Sequence, residues 1–544
     1  MLKRILPALL LLLALDAGDA AAEVGAVWAL DDGTKVFAGT LDHVLKAKNG
    51  VFDAKTRTIK LFGARNEIIA FQVIVQGGDK PTKGVSVVLD SIGSIRNDTD
   101  ARLSAKADLD RYYIGRRIEV FKELYLQIKL RSRSIVWKPW TEAQPKGFMN
   151  KLVPDALVPI DNKTFDLPSK RNQGVWIDVY IPKSTEPGLH KGKVLVRSTD
   201  GGCKIPACLL KVELDVLPQT LPDKPTLATM LYFSGSDDDR DQMASRYWKD
   251  PWKASDEDVE KLRERHFKFG RRHRLTMFIS HDKKPHDALL KRLTGQTFSA
   301  EAGYDGPGVG LPQDVYPIHA FGSAKLDHKS ANMWVDWFKK NAPKVTYFYY
   351  TMDEPTPKDH DKVSKLAAAG RPAPAFTTAK YAPSLEVDMF TTLANEYSVK
   401  LADKAKKAGK IVWCYNGVRP YSGTFMVDDT AISPRVIPWI QYKYKIPRWF
   451  YWESTYYKDV QGGRKNIDIY TEANNFTNAS GDKLNGDGLL IYPGRDVIFP
   501  KSDQGIAMPI ASIRLKNWRR GLQDVEYLAL IRKKGHGKFV DKFV

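Results

Sequence analysis

The stretch Tyr347-Phe348-Tyr349-Tyr350-Thr351-Met352-Asp353-Glu354-Pro355 decides how the second half of this chain is read. Aromatic and β-branched residues favour a strand, and the proline marks the turn that ends it. Two adjacent carboxylates, Asp353 and Glu354, therefore arrive at a strand end, the way a barrel strand presents charge at its C-terminal mouth. Neighbours on a regular strand point to opposite faces, so both acids can serve one ligand only where the strand ends or bulges. Their mutual repulsion is expected to push their pKa values apart. Asp-Glu-Pro is also an ordinary turn or helix-start sequence, so its surroundings must decide.

Working outward, candidate strands lie at 226–233, 275–280, 345–351, 375–378, 388–393, 411–415, 449–452 and 489–492. Candidate helices lie at 256–272, 331–340, 359–369, 398–408, 433–444 and 510–533. This alternation argues for a (β/α)8-type barrel, with a short sixth connection and a long loop at 294–323. A doubly wound open sheet is the alternative, weakened because no Gly-x-Gly-x-x-Gly turn follows the first strand. Polar and aromatic residues gather where the strands end: His281 and Asp282; Asp353 and Glu354; Trp413, Tyr415 and Asn416; Trp449, Tyr451 and Trp452 with Glu453. Such ends build barrel active sites, and aromatic rings offer stacking faces to sugars. Taken singly, each tryptophan is more often core packing.

Before the barrel, residues 23–218 show short runs with period-two patterning and little helical pattern, which reads as an antiparallel β-sandwich. Three prolines in 217–225 mark the linker, so a second domain is expected over 219–544. Residues 1–22 carry Lys3 and Arg4, an apolar run and Ala20-Ala21-Ala22, the pattern of a secretory signal too short for a membrane span. The mature chain is expected to be exported, periplasmic or extracellular. Lys plus Arg outnumber Asp plus Glu by 84 to 64, a net charge of +20, which could draw anionic glycans, membranes or nucleic acid. The basic residues are dispersed, with no arginine-rich arm, so nucleic-acid reading is not expected. Cys203 and Cys208 could bridge a tight turn, while Cys414 reads as a buried thiol. The histidines show no ligand spacing, and neither metal nor cofactor is expected.

The pair also constrains the chemistry. Ordinary glycosidases hold acid and nucleophile on opposite faces of the sugar, roughly 5 to 9 Å apart, which adjacent residues suit poorly. A substrate whose own 2-acetamido oxygen attacks the anomeric carbon needs only an acid for the leaving group and a carboxylate to orient the acetamido nitrogen. Glu354 would be that acid and Asp353 that orienting group.

Several spaced segments carry a family resemblance. Gly486-Asp487-Gly488-Leu489-Leu490-Ile491-Tyr492-Pro493-Gly494, Ile510-Ala511-Ser512-Ile513-Arg514-Leu515 and Gly521-Leu522-Gln523-Asp524-Val525-Glu526-Tyr527 resemble the end of the catalytic domain of glycoside hydrolase family 123. Tyr304-Asp305-Gly306-Pro307-Gly308, Asp353-Glu354-Pro355, and Pro434-Arg435 leading on to Phe450-Tyr451-Trp452 support it, while Ala64-Arg65-Asn66-Glu67 and Asn172-Gln173-Gly174-Val175-Trp176 resemble its sandwich. The resemblance implies a β-N-acetylgalactosaminidase working by substrate assistance, with Asp353 and Glu354 in the roles above. Position at strand ends and loops nominates Tyr304, Asp305, Trp413, Tyr415, Asn416, Arg435, Trp452 and Tyr492 for substrate binding. Arg435 and Arg514 could equally brace loops through bidentate pairs with carboxylates. The expected substrate is a glycan or glycoconjugate. Two other readings stay open: a two-carboxylate glycosidase using Glu354 with Glu453 or Asp282, and a non-catalytic glycan-binding surface protein.

Overall fold

The computed structural model describes residues 24–544 apart from 97–115, 134–135, 140–143, 161–162, 204–206, 235–241, 280–281, 283 and 320–325. The leader and His281 lie outside the described residues.

Two sheets form the front domain. One has five antiparallel strands in the spatial order Val24–Asp31, Glu67–Gly77, Asn172–Ile181, Ile118–Gln127 and Leu152–Pro159. The other runs through Phe165–Leu167, Thr82–Val88, Gly188–Arg197, Leu209–Thr220, Thr58–Arg65 and Phe52–Asp53. Within it, Thr58–Arg65 and Leu209–Thr220 pair in parallel, a departure from the all-antiparallel expectation. Val73, Val75 and Ile177 of one sheet share a core with Val85, Val194 and Leu214 of the other, which makes the domain a β-sandwich. Strands Glu67–Gly77 and Asn172–Ile181 are buried throughout, because the outer face of their sheet packs on the second domain. A disulfide joins Cys203 to Cys208. The strand Leu209–Thr220 runs past residue 218 before the chain enters the second domain.

There, eight parallel strands follow: β1 (Ala228–Tyr232), β2 (Met277–Phe278), β3 (Val315–His319), β4 (Thr346–Met352), β5 (Ala375–Thr377), β6 (Met389–Leu393), β7 (Ile411–Tyr415) and β8 (Arg448–Tyr451). Their order, β2-β1-β8-β7-β6-β5-β4-β3, closes the barrel except between β2 and β3, which are not hydrogen-bonded among the described residues. Helices α1 (Asp256–Arg272), α2 (Asp287–Thr294), α3 (His328–Asn341), α4 (His360–Ala369), α5 (Val399–Lys407) and α6 (Ser433–Lys443) cover the outside. Met230, Phe278, Phe348, Phe376, Met389, Trp413 and Phe450 fill the inside.

The strand count of eight holds, with one member exchanged. Strand β3 falls within the stretch expected to be loop; its Pro317 hid it, and is tolerated because β3 has a hydrogen-bonded neighbour on one side only. The segment expected as the eighth strand instead forms a two-residue ribbon, Ile491–Tyr492 against Ile510–Ala511, outside the barrel. The connection expected to be short holds a loop and all of α6, whereas the one between β5 and β6 lacks a helix.

Helix α7 (Ile513–Lys533) is wedged between α6 and the sandwich and is buried along several faces. A Cβ on Gly521 would lie 2.3 Å from the Arg435 carbonyl oxygen, so only glycine permits this approach of α6 and α7. Toward the sandwich, α7 presents cations. Arg514 donates to both oxygens of Asp155 at 2.8 and 2.6 Å, and Lys516 and Arg519 each reach Asp178 at 2.8 Å. Arg520 and Tyr527 both bind Glu67.

Candidate active site

Strand β4 breaks its regular geometry where the acids stand. Its pairing with β5 slips between Tyr350 and Met352, and Glu354 takes a left-handed backbone with φ of 40°. A bulge followed by a left-handed residue suspends the alternation of faces, so consecutive carboxylates need not diverge. A bulky side chain in that region is strained, and such strain is held only where the surroundings enforce it.

Those surroundings are Tyr350 and Thr378, both buried. The Tyr350 hydroxyl donates to Asp353 Oδ1 at 2.6 Å, and the Thr378 hydroxyl donates to the same oxygen at 2.8 Å. Thr378 Oγ1 also accepts the Glu354 N–H at 2.5 Å, so one side chain at the end of β5 clamps both positions. Neither Tyr350 nor Thr378 was singled out from the sequence; Tyr350 lies inside the decisive stretch, but only the register across β4 and β5 reveals its role.

Glu354 is held from the far side of the mouth. The Tyr415 hydroxyl, at the end of β7, donates to Glu354 Oε1 at 2.5 Å. Since β5 and β6 intervene between β4 and β7, this bond sets the carboxyl over the barrel axis rather than on its rim. Although Glu354 presents surface to solvent, its carboxyl is raised above the usual range. Loss of water around it is the main cause, the Tyr415 hydrogen bond opposes it, and the charges of Asp353 and Glu396 add to it. Repulsion from Asp353 acts in the expected direction but is a smaller contributor than burial. Among the described residues neither Asp353 nor Glu354 forms an ion pair.

The other nominated residues fall into two groups. Around the mouth, Asn416 and Trp452 sit beside Tyr415: Asn416 Oδ1 accepts the Trp452 N–H at 3.3 Å, and Trp452 Nε1 donates to Asp487 at 3.0 Å. Trp413 lies deeper, packed on Phe348 and Phe376 inside the barrel with Arg448 over its ring, and serves as core. The rest lie elsewhere. Tyr304 and Asp305 precede β3 and so sit on the face where strands begin, opposite the mouth. Tyr304 is fully buried and donates to the Pro307 carbonyl at 2.6 Å, while Asp305 pairs with Arg117 of the sandwich at 2.6 Å. Arg435 makes a bidentate pair with Asp524 at 2.6 and 2.9 Å, bracing α6 to α7. Tyr492 is buried and donates to Asp155 at 2.7 Å, at the sandwich. The structure places these four away from the mouth: the strand containing Tyr492 is not part of the barrel, the loop of Tyr304 and Asp305 is at its other end, and Arg435 makes the bidentate brace that the sequence also offered.

The two alternative carboxylates are already engaged. Glu453 is buried and accepts from Ser234 at 2.5 Å, from the Ser454 and Thr455 N–H groups at 2.7 Å, and from the Thr455 hydroxyl at 3.0 Å. Burial outweighs these bonds and raises it to about 7. Asp282 accepts from Tyr316 at 2.8 Å and pairs with His286 at 3.0 Å and Arg292 at 3.4 Å. Burial pushes its carboxyl up, but these partners together outweigh that and bring it to about 2. Among the described residues no group of three or more His, Cys, Asp or Glu is placed to hold a metal ion, and no helix is long and apolar enough to cross a membrane.

Comparison with known proteins places this arrangement. The profile for the catalytic domain of glycoside hydrolase 123 matches residues 338–531, and that for its N-terminal domain matches residues 40–198. The chain belongs to glycoside hydrolase family 123. As a family 123 member it is a glycosidase, and the matched catalytic region contains β4 to β8 with the acidic pair. A family 123 glycoside hydrolase from Clostridium perfringens, described in work on glycolipid glycan hydrolysis, superposes with a TM-score of 0.59 at 12% identity, covering 94% of this chain and 88% of that one. At that identity the likeness speaks for the fold alone. Active domain 2 of a thermostable chitinase from Pyrococcus furiosus reaches a TM-score of only 0.23 at 12% identity over 47% of this chain and 92% of that one, too low to carry an argument. No curated protein matches the sequence.

Proposed function

We propose that this family 123 glycosidase is exported and releases a β-linked N-acetylhexosamine, most simply N-acetylgalactosamine, from a glycan or glycoconjugate with retention of configuration. The carrying observation is the neighbouring pair Asp353 and Glu354, exposed at the mouth, held by separate hydroxyls and without an ion-pair partner among the described residues. Asp353 orients the acetamido N–H, so that the acetamido oxygen attacks the anomeric carbon. Glu354, its carboxyl biased toward the protonated form, gives its proton to the departing glycosidic oxygen. It then takes a proton from the water that opens the cyclised intermediate. Glu453 and Asp282 are occupied by fixed partners, which supports a mechanism without a protein nucleophile. The leader pattern and the Cys203–Cys208 disulfide support export, because disulfides persist in oxidising compartments.

The test is hydrolysis of an aryl 2-acetamido-2-deoxy-β-galactoside, with inhibition by a thiazoline that mimics the cyclised intermediate. Equal turnover of the matching 2-hydroxy galactoside would reject substrate assistance.

A further inference from the structure

Five cations from three separate stretches of the sequence, Arg131, Arg133, Lys138, Arg419 and Lys483, are brought to one corner of the mouth. Three backbone segments meet there. The sandwich segment after strand Ile118–Gln127 is joined to the loop after β7 by the Lys138 N–H to the Arg419 carbonyl, 2.7 Å, and the Arg419 N–H to the Val136 carbonyl, 3.0 Å. It is joined to the ribbon Asn474–Thr477 and Lys483–Asn485 by the Arg133 N–H to the Lys483 carbonyl, 3.1 Å. Arg131, Arg133, Lys138 and Lys483 are exposed on this corner and Arg419 is half-buried. The neighbouring acids Asp428 and Asp429 are buried and engaged, the first by Ser132 and the second by Thr424, Ser433 and Arg419.

Aromatic rings stand between this corner and the acid. Trp452, Tyr456 and Phe476 are half-buried, with ring centroids 5.2 to 5.6 Å apart. Phe476 packs against Val136 and Trp137 of the sandwich segment, and Trp452 is tied to Asn416, the residue after Tyr415. Arg419 is only four residues beyond Tyr415, so its Cα lies within about 14 Å of the residue that holds Glu354.

We propose that this corner binds an anionic saccharide on the leaving-group side of the scissile bond. Tyr456 and Phe476 stack a sugar ring, and the cations meet its carboxylate or sulfate. The placement on the leaving-group side rests on the proposed function, since a sugar filling the pocket over Glu354 leaves the remainder of the chain to run outward. The net charge of +20 adds a long-range attraction for the same ligands.

The experiment titrates the full-length Glu354→Gln protein, chosen because turnover is expected to be slowed about a thousandfold, with three probes: a chondroitin 4-sulfate tetrasaccharide, the unsulfated chondroitin tetrasaccharide and neutral chitotetraose. Both acidic probes are expected to bind about tenfold more tightly than chitotetraose at low salt, with the gap narrowing as salt rises. Adding Arg131→Ala, Arg133→Ala and Lys483→Ala should abolish the gap, and adding Phe476→Ala should weaken all three probes alike. A larger loss for the sulfated probe assigns the site to sulfate, and equal losses assign it to carboxylate. Equal affinity for acidic and neutral probes, unchanged acidic binding in the triple cation variant, or stronger capture by phosphatidylglycerol vesicles than by any saccharide would each overturn the proposal. In the background with Glu354 intact, the triple variant should hydrolyse the aryl hexosaminide normally. An absence of aryl hexosaminide hydrolysis in the unmodified protein would defeat the proposed function while leaving these binding measurements able to judge the corner.

Discussion

The mouth of the barrel and the seam between barrel and sandwich are built from the same residue types and treat their carboxylates in opposite ways. At the seam, burial pushes the Asp178 and Asp155 carboxyls up, but Arg519 and Lys516 beside the first and Arg514 beside the second outweigh it and hold both below the usual range. At the mouth, the Glu354 carboxyl has only a hydroxyl for a partner among the described residues and is held above that range. The difference teaches how to tell a structural acid from a reactive one. A carboxylate locked by guanidinium groups is held in its ionised form, whereas one facing hydroxyls and a second acid is biased toward its protonated form.

The contrast is exposed most directly at Glu354. Glu354→Gln is expected to lower kcat on an aryl hexosaminide with a poor leaving group by about a thousandfold, with a smaller loss for a good leaving group that needs little protonation. Asp353→Asn should lose a similar amount with both substrates, since the orienting role does not depend on the leaving group; a loss that did depend on it would reverse the two assignments. Steady-state kinetics on the pair of substrates reads both.

At the seam the expected effect is on stability. Arg514→Leu leaves Asp155 buried without its cation and should destabilise the fold by about 3–5 kcal/mol, while Arg514→Leu with Asp155→Leu should cost less. Denaturant titration of the two variants measures the difference. If the single variant lost activity but no stability, the seam would have to be counted as part of the catalytic apparatus.

One acid near the seam breaks its rule. Glu123 is fully buried, neither of its oxygens has a hydrogen-bond partner among the described residues, and burial pushes it up to about 8. A Cβ on Gly174 would lie 2.0 Å from Glu123 Oε2, so the glycine makes room for the carboxyl. Because the folded pKa is raised, the stabilising contribution is complete below the unfolded value of about 4.3 and is lost as pH rises through the folded value. Glu123→Gln should flatten that loss, by about 1–3 kcal/mol, in denaturation curves taken on either side of that range. Glu453, raised to about 7, leaves a residual dependence of the same sign.

The smallest effect concerns Tyr415. Its hydroxyl stabilises the ionised form of Glu354, so Tyr415→Phe should raise the pKa of the acid further and move the alkaline limb of kcat/KM to higher pH. The pH profile checks the direction; a shift to lower pH would mean that Tyr415 does not act through Glu354.

Much of this architecture was legible along the chain. Helix α1 begins and ends where its pattern predicts, since Ser255 caps it, three acids fill its first turn and two arginines its last. Asp353 and Glu354 were legible because an aromatic strand meeting two acids and a proline is a strong local signal. Strand β3 was not, because Pro317 is a strand breaker unless one side of the strand lacks a partner, and that is a property of the closed sheet. Arg435 and Tyr492 were nominated as ligands, with bracing offered as the other reading of Arg435, because their partners Asp524 and Asp155 lie far away in sequence and no local pattern shows which side chain meets which acid.

Local interactions act over a few residues, so the sequence alone determined seven of the eight barrel strands, most of the helices, and the acidic pair at a strand end. Tertiary structure alone decided which side chains face the pair. Tyr350, Thr378 and Tyr415 come from three strands, and only the closing of the barrel sets their hydroxyls against the two carboxylates. The same long-range packing turned the arginines of α7 inward to bind the sandwich, because an ion pair needs its partner within a few ångströms whatever the distance along the chain.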